Sequence, residues 1–272
     1  MSEIPLIGKK YHFVLFSIGW VKDCIFTALF DSITKKGVKS LKIICFGDSV
    51  TRGITYVHGR LRIIKDNYPA LLQRFSGDDD EVINKGVFND NSDLLVKRLD
   101  KDVLQLHPDL VLINIGGNDC NFRWDQVAKL PDAEHVPIVP LQRYLSNIKE
   151  LVERISSTGA TPVVLSLLPL DPVRYYRSLM KHYSHSIGHW IGYCGGIEHW
   201  HGMYNRALKD LVARIGAASL DIRSAFKNKG SFSELINEDG LHPSPKGYQA
   251  LAEIIYAGMP DLKKLANKAH VS

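Results

Sequence analysis

At 272 residues, 45% of them hydrophobic, the chain is long enough to bury the core of one domain and to carry an appendage as well. Its 34 basic and 29 acidic residues give a formal net charge of +5, a mild excess without a recognised nucleic-acid-binding motif, so we expect no nucleic-acid partner. The four cysteines are far apart and form no Cys-x-x-Cys pair, which favours reduced thiols and a cytoplasmic protein.

Residues 1–40 are predicted to form an amphipathic extension, because apolar side chains between positions 13 and 30 recur at roughly helical spacing. The apolar run Tyr11–Val21 is similar to the core of a signal sequence, but Lys22-Asp23 interrupts it and no small-residue cleavage site follows. No run is long enough to predict an integral membrane span. We expect the extension to pack on the domain or on a second copy, as in a homodimer, with membrane-surface contact as the alternative.

The first predicted strand, Leu41–Phe46, is a short apolar run that suits burial on both faces of a sheet. Gly47 then allows a tight turn, and Asp48 and Ser49 follow where a helix could begin. A serine at this place suits a nucleophile, because backbone N–H groups of the following turn point toward whatever approaches its hydroxyl. Asp and Ser are also ordinary helix N-caps, and for an isolated Gly-Asp-Ser this interpretation is the more common one.

Predicted helices and strands alternate along the rest of residues 41–272. The strands are Glu81–Gly86, Asp109–Ile115, Thr161–Leu168 and Ala217–Ile222, and the helices are Tyr68–Phe75, Asp93–Leu106, Leu141–Ile155, Met203–Ile215 and Tyr248–Ala257. Alternation of this kind implies parallel pairing through right-handed crossovers. We therefore predict an α/β fold, a three-layer α/β/α sandwich with about five parallel strands in the flavodoxin-like order 2-1-3-4-5.

Two more motifs carry polar side chains. Strand three runs into Gly-Gly-Asn118-Asp119, and near the C-terminus lies Asp239-Gly-Leu-His242-Pro. Each motif alone is adequately explained as a turn. In this order, however, Ser49, Asn118, Asp239 and His242 resemble the SGNH (GDSL-type) esterase and lipase family, over residues 41–257 and in three of the family's four sequence blocks.

The resemblance implies a serine hydrolase that cleaves a carboxylic ester through an acyl-serine intermediate, without cofactor or metal. Ser49 is the expected nucleophile, His242 the general base, and Asp239 the acid that holds the imidazole. The backbone N–H of Ser49 and the side-chain amide of Asn118 are expected to bind the oxyanion. Asp48 and Asp119 are expected to cap or hold the adjacent turns.

The second block departs from the family pattern. It usually provides a further oxyanion-hole N–H from a glycine, whereas here Asn89 occupies that position. Asparagine is among the non-glycine residues most able to adopt positive φ. We therefore expect Asn89 to keep the loop geometry and to donate its backbone N–H, with Gly86 as a less well placed alternative.

A long insertion, residues 169–202, separates strand four from the next helix. Its aromatic residues could line an acyl or sugar pocket, or pack inward as an extra helical subdomain. We predict Tyr175 and Trp190 from the insertion, with Phe122 and Trp124, as substrate-binding residues. The small-molecule ester is expected to be a short-chain or carbohydrate O-acyl ester.

The insertion's histidines raise the alternative of a metal site, although suitably spaced acidic or cysteine ligands are lacking. These histidines are His182, His185, His189, His199 and His201. Two functional alternatives also stay open: transfer of the acyl group to an acceptor other than water, and a non-catalytic carbohydrate- or protein-binding module. The nearly complete set of motifs argues against the binding module.

Overall fold

The computed structural model describes residues 40–57, 59–183 and 185–269. The predicted amphipathic extension lies outside these residues except for Ser40. The strands are β1 (Leu41–Gly47), β2 (Ile54–Val57), β3 (Arg60–Ile63), β4 (Asp80–Gly86), β5 (Leu110–Asn114), β6 (Thr161–Leu165) and β7 (Ala218–Leu220).

One five-stranded sheet forms the centre of the domain. Its spatial order is β4-β1-β5-β6-β7, and every neighbouring pair is parallel. In chain order this sheet reads 2-1-3-4-5, so the flavodoxin-like prediction is confirmed. Strands β1 and β5 flank the point at which the chain reverses its direction of winding, and their carboxyl ends carry Ser49 and Asn118.

Helices cover both faces of the sheet. They are α1 (Ser49–Arg52), α2 (Tyr68–Ser76), α3 (Ser92–Asp102), α4 (Trp124–Lys129), α5 (Leu141–Ser156), α6 (Pro172–Met180), α7 (Ile187–Tyr193), α8 (Ile197–Ile215), α9 (Ile222–Lys227), α10 (Phe232–Leu235) and α11 (Pro245–Ala269). On one face Ile43 and Cys45 of β1 pack with α2, α9 and α11. On the other face Ile44 and Phe46 pack with α3, α5 and α8. The period-two alternation of β1 thus gives each layer its own core.

Two helices are longer than the sequence pattern predicts. Helix α8 begins at Ile197 instead of Met203, and α11 continues past the predicted end at Ala257. Helix α11 continues through Pro260 because Met259 and Leu262 remain buried in the same core as its first half. Packing of an apolar face therefore outweighs the backbone hydrogen bond that proline removes.

An antiparallel hairpin, β2–β3, lies between α1 and α2 and is absent from our sequence prediction. Its first strand is tied to the C-terminal part of the domain, where Tyr248 donates to the Ile54 carbonyl at 2.7 Å. All four residues of β3 are exposed. A signal was present in the sequence, since two short β-type runs are separated by two residues that include Gly59.

Candidate active site

Ser49 lies at the junction between β1 and α1, at the carboxyl edge of the sheet. Gly47 permits this junction, since a Cβ atom there would lie 2.3 Å from both the Asn114 carbonyl oxygen and Thr51 Oγ1. Asp48 is the N-cap of α1, and its Oδ1 accepts the Val50 N–H at 2.9 Å. The backbone N–H of Ser49 has no hydrogen-bond partner within the described ranges.

The side chains of Ser49, His242 and Asp239 meet in one line of hydrogen bonds. Ser49 Oγ lies 3.0 Å from His242 Nε2, and His242 Nδ1 lies 2.6 Å from Asp239 Oδ2. All three residues are buried. This geometry allows the imidazole to take the serine proton while its other nitrogen donates to a carboxylate.

Asp239 is held in its ionised form. Its Oδ1 accepts the backbone N–H groups of Leu241 and His242, both at 3.1 Å. Burial alone would raise the pKa of Asp239, but the hydrogen bonds and charge of His242 outweigh it, so the pKa is lowered. A carboxylate in this state favours one imidazole tautomer and stabilises the imidazolium when it forms.

Contacts with two other elements hold the loop that carries His242 in place. Gly240 has a φ of 76°, and a Cβ atom there would lie 2.2 Å from the Tyr175 nitrogen in α6. The Pro243 carbonyl accepts hydrogen bonds from Thr55 of β2, at 3.0 Å, and from Asn237, at 2.9 Å. The unpredicted hairpin therefore supports the position of the imidazole.

Asn89 and Asn118 lie beside Ser49, and all three line the same cavity. The Asn118 amide donates to the Asp90 carbonyl at 2.7 Å, which leaves its second N–H free for an oxyanion. Asn89 has a φ of 63°, the positive value expected for a residue at the glycine position. Its backbone N–H has no hydrogen-bond partner in the described part of the chain. These groups could together form an oxyanion hole.

Comparison with known proteins identifies the family of this chain. The family described as GDSL-like Lipase/Acylhydrolase matches residues 45–250, which is most of the chain. The chain belongs to the GDSL-like lipase/acylhydrolase family. It is a carboxylic ester hydrolase, as the motifs predict.

Relatives of this GDSL-family esterase are distant. The uncharacterized lipoprotein YqeF of Bacillus subtilis is 24% identical over 87% of this chain and 95% of its own length. An acetylxylan esterase of Xylanibacter ruminicola is 24% identical over 81% of this chain and 43% of its own length. Among solved structures, the lipase/acylhydrolase of Enterococcus faecalis has a TM-score of 0.60 at 21% identity, covering 82% of this chain and 96% of that chain. A variant of the acetylxylan esterase of Geobacillus stearothermophilus has a TM-score of 0.56 at 20% identity, covering 81% and 94%.

Arg98 supports the site of this GDSL-family chain and is not among the residues predicted from the sequence. From α3 its guanidinium donates to Asp90 Oδ2 at 2.6 Å, to Asp102 Oδ2 at 2.9 Å and to the Gly47 carbonyl at 2.9 Å. Its Cζ also lies 4.4 Å from the centre of the Phe46 ring. Arg98 thus joins the end of β1 to the turn whose carbonyl orients the Asn118 amide.

Two further carboxyl groups near the site hold turns, as predicted. Asp119 is fully buried and accepts the Ser92 N–H at 2.9 Å, while Asp48 caps α1. Neither is the carboxylate that contacts His242. Burial raises the pKa of Asp119 to about 6 and that of Asp48 to about 7.

A cavity of about 260 Å³ opens beside Ser49 and His242 in this GDSL-family fold. The four predicted substrate-binding residues are all buried and line it: Phe122, Trp124, Tyr175 and Trp190. They also pack on one another, with Phe122 edge-to-face against the two tryptophans at 5.6 and 5.7 Å. The inward-packed aromatics of the insertion therefore form part of the cavity wall.

The insertion contains α6, α7 and the start of α8. Among the described residues, no group of three or more His, Cys, Asp and Glu side chains is arranged to hold a metal ion. In the same part of the chain, no helix has the length and apolar character needed to cross a bilayer.

Proposed function

We propose that this chain hydrolyses a short-chain or carbohydrate O-acyl ester through an acyl-Ser49 intermediate. The single observation that carries the proposal is the continuous contact from Ser49 Oγ to His242 Nε2 and from His242 Nδ1 to Asp239. A serine hydroxyl holds its proton at neutral pH, so nucleophilic attack requires a base in direct contact.

The reaction proceeds in two halves. Ser49 Oγ attacks the ester carbonyl carbon while its proton moves to His242 Nε2, and the carbonyl oxygen becomes an oxyanion bound by Ser49 N–H, Asn89 N–H and the Asn118 amide. Collapse of this intermediate breaks the bond to the alkoxy oxygen, which takes the proton from His242. Water then attacks the acyl-serine by the same route and releases the carboxylic acid.

The size of the cavity supports a small substrate group. At about 260 Å³ it lies below the roughly 300–1,000 Å³ typical of sites for drug-sized ligands. Its aromatic wall suits a short acyl chain or the apolar face of a sugar ring. Similarity to two proteins named acetylxylan esterases supports the carbohydrate ester as a candidate.

Labelling with a fluorophosphonate probe and hydrolysis of p-nitrophenyl acetate test this proposal. The wild type should be labelled and active, and both signals should disappear in Ser49→Ala and fall sharply in His242→Ala. Ser157→Ala is the matched control, because this serine is exposed and caps the end of α5, so the variant should behave as wild type. Labelling that persists in Ser49→Ala would refute the assignment of the nucleophile.

A further inference from the structure

A buried histidine–arginine pair forms part of the cavity wall. His201 of α8 is 5% exposed and Arg223 of α9 is 9% exposed, and Arg223 Nη1 lies 3.0 Å from His201 Nδ1. The sequence suggests His201 only as one of several histidines for a metal, and Arg223 has no assigned role. Together they define a hydrogen-bonding group that the proposed reaction does not use.

The contact fixes the tautomer of His201. A guanidinium can only donate, so Nδ1 must be an unprotonated acceptor and the ring proton must be on Nε2. A second proton would place an imidazolium against a buried cation. Burial, with the charges of Arg223 and Lys227, lowers the pKa of His201 to about 3.

The charges around the pair keep this arrangement. Glu198 Oε1 lies 3.8 Å from Arg223 Nη2, the guanidinium nitrogen that does not contact His201, and it also pairs with Lys227. The guanidinium charge is therefore partly balanced by Glu198. His201 itself has no carboxylate partner among the described residues. His201 is consequently a neutral N–H donor at neutral pH.

The Nε2–H group of His201 has no hydrogen-bond partner within the described segments. His201 lines the same cavity as Ser49 and His242, and the lining also includes the apolar side chains of Leu167 and Leu241. A hydrocarbon group placed there would leave a buried donor unpaired, whereas an oxygen acceptor would satisfy it.

We propose that His201 is a specificity-determining residue that donates its Nε2–H to a substrate oxygen other than the reacting carbonyl. The favoured esters therefore carry a hydroxyl or ether oxygen, on either the acyl or the alcohol half, near the ester bond. This inference rests on the proposed function, since it requires that the ester react at Ser49 within the same cavity.

Two pairs of esters test it, each pair differing only by an ether oxygen in place of one methylene group. On the acyl side the pair is p-nitrophenyl methoxyacetate and p-nitrophenyl butyrate. On the alcohol side it is tetrahydropyran-4-yl acetate and cyclohexyl acetate. The wild type should prefer the oxygen-containing member of at least one pair in kcat/KM, relative to spontaneous hydrolysis, and the responding pair identifies which half carries the oxygen.

Variants of His201 give the decisive comparison. His201→Phe keeps a ring without a donor and should lower the preference about 10-fold, whereas His201→Gln keeps a donor and should retain most of it. Because His201→Phe removes the acceptor that lies 3.0 Å from the buried Arg223 Nη1, the double variant with Arg223→Met provides a second test without a weakened buried charge. Either variant should show the loss of preference.

Equal preference ratios in wild type and both donor-free variants, for both ester pairs, would overturn the inference. That result is distinct from failure of the proposed function, in which the wild type would hydrolyse no ester and no probe would label Ser49. Failure of the function would also remove the inference.

Discussion

Replacing Arg98 with methionine strands the carboxylate of Asp90, whose side chain is only 6% exposed. Removing one partner of a fully buried ion pair costs about 3–5 kcal/mol. Because the Arg98 side chain is itself 16% exposed, we expect about 3 kcal/mol, the lower end of that range. The Asp90 carbonyl also orients Asn118, so kcat should fall about 10-fold, less than the roughly 100-fold or more that follows direct loss of an oxyanion donor.

Urea denaturation and steady-state hydrolysis of p-nitrophenyl acetate measure the two effects. Arg154→Met is the matched control, because Arg154 also contacts two carboxylates, but at the surface, and should cost less than about 1 kcal/mol with kcat unchanged. Adding Asp90→Asn to Arg98→Met removes the stranded charge and should recover part of the lost stability. An Arg98→Met protein as stable as wild type would refute the reasoning on the buried pair. Lost stability with unchanged kcat would refute the link to Asn118.

Three further predictions concern the neighbouring turns. Because burial raises the pKa of Asp48 from 3.8 to about 7, stability that is present below about pH 4 should be lost as the pH rises to about 7. Thermal melts of Asp48→Asn should show a smaller decline, and the remainder should come from Asp119, whose pKa is also raised by burial. Gly240→Ala brings a Cβ atom against the backbone of α6 and should lower both the melting temperature and kcat. Gly230→Ala, at a similar φ but in open space, should cost only about 1–2 kcal/mol. Asn89→Gly should keep kcat, whereas Asn89→Val should lower kcat about 10-fold or more, because a β-branched residue resists positive φ. His107→Val is the control, since His107 also has a positive φ but lies outside the cavity.

Each of these predictions has a clear contrary result. A pH-dependent decline that persists unchanged in Asp48→Asn would assign the titration to another group. Equal effects of alanine at positions 240 and 230 would show that the close approach to α6 has no consequence for the loop. Full activity of Asn89→Val would mean that the positive φ at this position is unnecessary for catalysis.

The sequence predicted the sheet order and the approach of Ser49 to Asn118 because both follow from local patterns, whereas the place of His242 was implied by the family resemblance. Each motif lies directly after a strand or before a helix, and the winding rules of parallel sheets bring the strand ends together. The left-handed conformation of Asn89 was expected because Asn89 occupies the glycine position of the family pattern and asparagine is among the non-glycine residues most able to adopt positive φ.

Contacts between distant segments were not accessible in this way. Arg98 reads as an ordinary residue of an amphipathic helix, with Asp102 four positions later, and only the fold brings it to the Gly47 carbonyl 51 positions earlier. The same holds for His201, in the part of α8 that belongs to the insertion, and Arg223 of α9, 22 positions later. The β2–β3 hairpin differs from these long-range contacts, because its turn signal, the two residues that include Gly59, lies in the local sequence.

The 193 positions between Ser49 and His242 have a consequence for synthesis. The hydroxyl follows the first strand of the sheet, while the imidazole precedes α11, so a ribosome-bound chain carries one without the other until residue 242 has been made. A polypeptide that ends before residue 242 therefore cannot cleave esters by the proposed route. Recovery of activity after dilution from denaturant would accordingly report that the segment carrying His242 has reached its place beside Ser49.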